Sequence, residues 1–170
     1  MQRLDPPDPS TYNEHQKRIA DSIVGTRGSV RGPFGVWLHA PGLADPAQAV
    51  GAFLRFVSKM PGNLRELNIC TIGQHWQANY EWFAHGPMAI TEGVSPEAIV
   101  LLRVGKRPAP LTGNEELVYG LATEIVNSGR LSVGSYKSGV DALGTDPIPG
   151  RLSNAIPEAY AESPTAPSHA

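Results

Sequence analysis

The strongest constraint on this chain is its recurring helix punctuation. Asp45-Pro46 places an N-capping carboxylate ahead of a proline suited to a first helical turn. It precedes AQAVGAFLRFVSKM, which closes at Pro61-Gly62. Ser95-Pro96-Glu97 repeats the device ahead of AIVLLRVGK. Thr112 and the acidic pair Glu115-Glu116 open ELVYGLATEIVNS, and Gly129 fits the left-handed position that ends a helix. Toward the N-terminus, Ser10 is expected to cap a helix to about Val24, with Gly25 closing it. Leu131-Ser132 opens a weaker segment to about Leu143, diluted by Gly134 and Gly139. The glycine-rich stretch GTRGSVRGPFGVWLHAPGLAD reads as a folded loop with a short helical piece. No strand-like alternation bounded by hairpin turns occurs. The pattern predicts an all-α fold.

Length and charge narrow the class. The 170 residues suit one domain, expected over 1–143. Prolines cluster at both ends, and residues 144–170 form a Pro/Ser/Ala-rich tail with little apolar periodicity, expected to be largely disordered. With 14 Lys and Arg against 16 Asp and Glu, there is no electrostatic reason to expect a nucleic-acid or membrane partner. No apolar run approaches the roughly 18 residues of a spanning helix. MQRLDPPDPS lacks the apolar core of a signal peptide, so the expectation is a cytoplasmic domain. Cys70 is the single cysteine, which excludes an intrachain disulfide and any multi-cysteine metal site.

Chemistry concentrates in NLRELNICTIGQHWQANYEWFAH, which can run as one helix or as two meeting near Gly73. At about 100° per residue, Ile69, Ile72, Trp76, Tyr80 and Phe83 form an apolar stripe expected to face the core. Glu66, Cys70, Gln74, Gln77, Ala78, Glu81 and His85 fall on the opposite side. The simpler reading of that side is a solvated face, with Glu81 and His85 as an i, i+4 pair. Against it, the face carries no Lys or Arg and sets small or neutral groups between its ionisable ones, as a partly enclosed site would. His75 and Trp82 lie at the boundary, and His75 reads as structural.

The strings RGPFGVWLHAPGLADPAQAVGAFLRF, LRELNICTIGQHWQANYEWFAHGPMA and GVSPEAI resemble the carboxymuconolactone decarboxylase family, which includes the alkylhydroperoxidase D-like proteins. The resemblance covers roughly residues 30 to 130, and RE followed by H-W-x-A-x-Y-E-W and H-x-x-x-A is its most specific part. It implies an alkylhydroperoxidase D-like helical bundle assembled as trimers or hexamers, with a pocket walled by the central helix and often completed by a neighbour. On the peroxidase motif, Glu66 and His85 match, but the two cysteine positions fall on Ala78 and Glu81. A thiol peroxidase needs an attacking thiolate and a resolving thiol. The chain therefore resembles a cysteine-free branch. The decarboxylase branch uses His and Glu, which fits better.

That resemblance implies a cofactor-free lyase or isomerase acting on a small organic acid or lactone. His85 would be the acid/base, with Glu81 or Glu66 orienting it. Gln74, Trp82 and Ala78 would shape the pocket, and His39 either lines it or bonds backbone in its loop. Two other readings stand beside this one: a peroxidase-like antioxidant protein, disfavoured by the missing thiols, and a catalytically degenerate oligomeric binding protein. The latter gains plausibility because the family's apolar C-terminal helix has no counterpart after DALGTDPIPG. A metal site built on Glu66, Glu81 and His85 is a minor further option, and none is expected.

Overall fold

A computed structural model describes residues 4–144. Every regular element among them is helical, which bears out the all-α expectation: eight α-helices, a 3-10 turn at Pro9–Thr11 and a π turn at Phe53–Val57. The expected disordered tail lies outside the described residues from 145 onward. The chain divides into two compact units between Ser58 and Lys59.

The first unit is built on α1 (Glu14–Arg27), α2 (Pro33–Trp37) and α3 (Pro41–Ala52), which continues into the π turn. Ser10 does not cap α1. Its N–H and hydroxyl both donate to Asp8 within the 3-10 turn. The cap is Asn13, which exchanges hydrogen bonds with Gln16 in a capping box. The helix runs through Gly25 and ends at Gly28, whose φ of 78° is the left-handed conformation glycine adopts at little cost. Likewise α3 begins at Pro41 rather than Asp45, because Pro41 already occupies a first-turn position; Pro46 sits inside the helix. Asp45 faces His15 instead, at 3.4 Å. Ile19, Ile23, Leu38 and Ala44 form the core of this unit, and the Arg27 guanidinium lies over the Phe34 and Phe56 rings.

The second unit contains α4 (Gly62–His75), α5 (Asn79–Thr91), α6 (Pro96–Arg103), α7 (Asn114–Ser128) and α8 (Val133–Leu143). Ser95 caps α6 and Ser132 caps α8, each at the position its punctuation predicts, and Gly129 ends α7 with φ 72°. Glu115 is buried at the start of α7. Its carboxylate accepts from the N–H and hydroxyl of Thr112 and from Asn63 on α4, so it ties the start of α7 to α4, while the N-cap position falls to Gly113 rather than Thr112.

The central segment is two helices, but they do not meet at Gly73. They join at 76–78, where Gln77 takes a left-handed φ of 52°. The Ala78 N–H donates to the Gly73 carbonyl and the Gln77 N–H to that of Gln74, the paired bonds of a Schellman ending. Helix α5 then folds back along α4. Because α4 packs against α5, α6 and α7 at once, it has no single inner face, and Glu66, Leu67, Cys70 and Thr71 are all buried.

The expected orientation therefore fails in part, with Ile69 and Ile72 only half-buried. Trp76, Tyr80 and Phe83, assigned to the core side, are exposed, with Phe83 at 76% of its full area. Glu66, Cys70 and Trp82 are inside. The turn at 76–78 broke the phase between the two helices, and α4, packed on several sides, keeps no single apolar stripe.

Candidate functional site

The hairpin of α4 and α5 brings Glu66 and His85 together. The Nδ1–H of His85 donates to Oε2 of Glu66 at 2.7 Å, and the Nε–H of Arg65 donates to the other oxygen, Oε1, at 3.0 Å. Glu66 keeps only 1% of its area in contact with solvent, and the His85 side chain 16%. Burial is the largest single influence on Glu66 and by itself would raise its pKa. The hydrogen bonds and charges of His85 and Arg65 together outweigh it, and the carboxyl lies below its ordinary value.

On the other edge of the ring, His85 Nε2 stands 3.4 Å from Oε2 of Glu81, one helical turn earlier. Glu81 is about a third exposed. The imidazole thus has a buried nitrogen bound to a buried carboxylate and an outer nitrogen facing a more exposed one. The first relationship fixes the ring and its tautomer; the second leaves a nitrogen able to exchange a proton.

Cys70 is fully buried beside this cluster. Burial, reinforced by the negative charges of Glu66 and Glu81, pushes its thiol up to about 12. Such a thiol is almost wholly protonated near neutrality and is a poor nucleophile.

The other expected residues fare unevenly. Trp82 is buried against Leu67, Cys70 and Ala89. Gln74 ends α4 beside Gly105, with its Nε2 3.4 Å from the position a Cβ would take there. Ala78 is not on a continuous helix face with Glu66; it caps α5 in the turn. His39 belongs to the first unit, where its Nε2–H donates to the Asp5 carbonyl at 2.8 Å, the backbone-bonding alternative for that loop.

Arg65 is the residue that sequence reasoning passed over. Its signal was adjacency to Glu66: a carboxylate inside a helix packed on several sides needs a cation as well as a histidine. Among the described residues no group of three His, Cys, Asp or Glu side chains is placed to hold a metal ion. Here Glu66 has both oxygens committed to Arg65 and His85.

No family model matches the sequence, no curated protein matches it significantly, and no solved structure does so. The resemblance to the carboxymuconolactone decarboxylase family therefore rests on its motif residues alone. No described helix is long and apolar enough to cross a membrane.

Proposed function

We propose that the protein is an acid–base enzyme of the carboxymuconolactone decarboxylase type, a carbon–carbon lyase or isomerase acting on a small organic acid or lactone. One observation carries the reading: a solvent-accessible imidazole locked at Nδ1 to the buried carboxylate of Glu66. In a decarboxylation, the bond to the departing CO2 breaks and its electron pair moves onto an adjacent carbonyl as an enolate. The Nε2–H of His85 then protonates the carbon, and the resulting neutral ring keeps its Nδ1 proton on Glu66. Glu81 can relay the replacement proton from solvent. In an isomerisation the same nitrogen removes a proton and returns it elsewhere.

The test is turnover of a panel of β-keto acids and unsaturated lactones, followed by CO2 release and by exchange of substrate hydrogen with deuterated solvent. His85→Gln is expected to lower either signal by 10²-fold or more, the usual contribution of a positioned acid or base. Equal turnover by a folded His85→Gln protein would refute the assignment.

The exposed aromatic face supports self-assembly as part of the same reading. Tyr80, Phe83, Pro87 and Ile90 follow a 3-4-3 spacing on the side of α5 away from the core, and Trp76 is exposed in the turn before it. Contiguous apolar surface of this kind marks interaction sites, and the partner it suits is another copy of this chain, in a trimer or hexamer. Should His85 prove inert, this face favours the oligomeric binding-protein reading. A peroxidase reading has less support, because Cys70 is buried and protonated.

A further inference from the structure

We propose that Trp82 and Arg103 form a holder for a substrate carboxylate beside His85. The proposal rests on the acid–base reading of the site and narrows its substrate class to carboxylate-bearing acids rather than neutral lactones.

The first observation is a bare donor. Trp82 is buried to more than nine-tenths, and its Nε1–H has no hydrogen-bond partner. Buried donors are nearly always paired, because leaving one unmade costs about 1–3 kcal/mol. The ring is held by close packing over Gly86 on its own helix. Its nitrogen points to α4, 3.9 Å from the place a Cβ would occupy on Gly73. The Cβ of Glu81 lies 3.1 Å from that same place. The unpaired N–H therefore shares a spot with the root of the side chain whose far end faces His85 Nε2.

The second observation is a cation on the same indole. The Arg103 guanidinium carbon stands 5.4 Å from the centre of the Trp82 ring. Arg103 is exposed at the end of α6 and has no carboxylate partner among the described residues. Lys106 is exposed in the turn that follows. An in-plane donor and a planar cation over the ring suit an anion with two oxygens, one for each. A neutral amide or ester would gain the first contact and not the second.

The N–H is covered in the ligand-free chain, so an oxygen reaches it only when a neighbour gives way. The Cγ of Glu81 lies 3.8 Å from that spot and, unlike the Cβ, swings out by rotation of the side chain; Glu81 is partly exposed, and its charge repels an incoming carboxylate. Binding would thus turn Glu81 away from His85 Nε2 and free that nitrogen for the substrate.

The experiment is nitrogen–proton NMR of the full chain, whose three tryptophans give three indole signals. Trp82→Phe identifies the Trp82 signal; Trp37→Phe and Trp76→Phe identify it by elimination if that variant fails to fold. With benzoate as the probe, the Trp82 signal is expected to shift saturably, and benzamide, lacking the contact with Arg103, is expected to need about tenfold more for the same shift. Arg103→Gln should weaken benzoate by about tenfold, the loss of one charge-assisted bond, and Glu81→Ala should tighten it. The shift should persist in His85→Gln, which separates this proposal from the fate of the acid–base reading. A Trp82 signal indifferent to benzoate, or equally responsive to benzamide, or unaffected by Arg103→Gln, would overturn it.

Discussion

Oε2 of Glu66 and Nδ1 of His85 are 2.7 Å apart across the α4–α5 hairpin, nineteen positions apart in the chain. The bond joins a carboxylate with almost no solvent contact to the ring that would move the proton. In the proposed reaction it would make the same two residues answerable for stability and for chemistry.

Acid stability should report on this pair. The folded-state pKa of Glu66 is below its ordinary value of 4.5. The unfolded chain therefore takes up the proton first on acidification. The stabilisation is present in full above about pH 4.5 and is lost as pH falls through the lower folded value. Urea unfolding between neutral and strongly acid pH should show this limb in the parent protein and a flatter one in Glu66→Gln. His85→Ala, which leaves the buried carboxylate with Arg65 alone, should cost about 2–3 kcal/mol at neutral pH. Identical acid limbs in parent and Glu66→Gln would contradict the assignment.

Cys70 should be chemically silent while the chain is folded. With its thiol pushed up to about 12 and no exposed surface, it should resist a thiol-specific disulfide reagent at mildly alkaline pH. In urea it should react at the rate of a free cysteine. Cys70→Ala should retain turnover, at a stability cost of about 1 kcal/mol for the small cavity.

Gly73→Ala should destabilise the hairpin although alanine is the better helix former. The new methyl would meet the Cβ of Glu81 at 3.1 Å, and that atom moves only with the backbone of α5. The packing penalty should exceed the gain in propensity of about 1 kcal/mol. A rise in thermal midpoint would show that α5 gives way more easily than its packing suggests.

Gln77→Gly should stabilise. Gln77 holds a left-handed φ of 52°, and a side chain there costs about 1 kcal/mol relative to glycine. Its own Nε2–H bond to the Gln74 carbonyl, at 2.7 Å, offsets part of that. A net gain of about 0.5 kcal/mol in urea unfolding is the expected result.

Phe83→Glu should change assembly and leave the monomer fold intact, since Phe83 is mostly exposed on α5. Sedimentation velocity is expected to show the parent as an oligomer and the variant as a smaller species. A monomeric parent would remove the self-association part of the proposed function.

Much of this architecture was legible, because caps act locally. Ser95, Ser132 and Gly129 mark their helix ends through bonds to residues within four positions. The α4–α5 junction was not legible for the same reason in reverse. Glycine is the usual stop signal, and Gly73 drew the break to itself; in fact Gly73 is small because Glu81 and Trp82 crowd it, while a glutamine makes the turn. The pairing of Glu66 with His85 could be suspected from one polar face, but that face was taken for the outer one. A helix packed by three neighbours hides polar residues as readily as apolar ones, provided each finds a partner, and Arg65 was the partner no periodicity reveals.

The three-residue turn at 76–78 also sets a tolerance for length. Adding or deleting one residue there would change the path of the turn and with it the phase at which α5 meets α4. Every side chain of the site would survive such a change, yet the imidazole would swing away from its buried carboxylate. A length variant in this turn should therefore fold as helices and be inert, which makes spacing here as consequential as any of the ionisable groups.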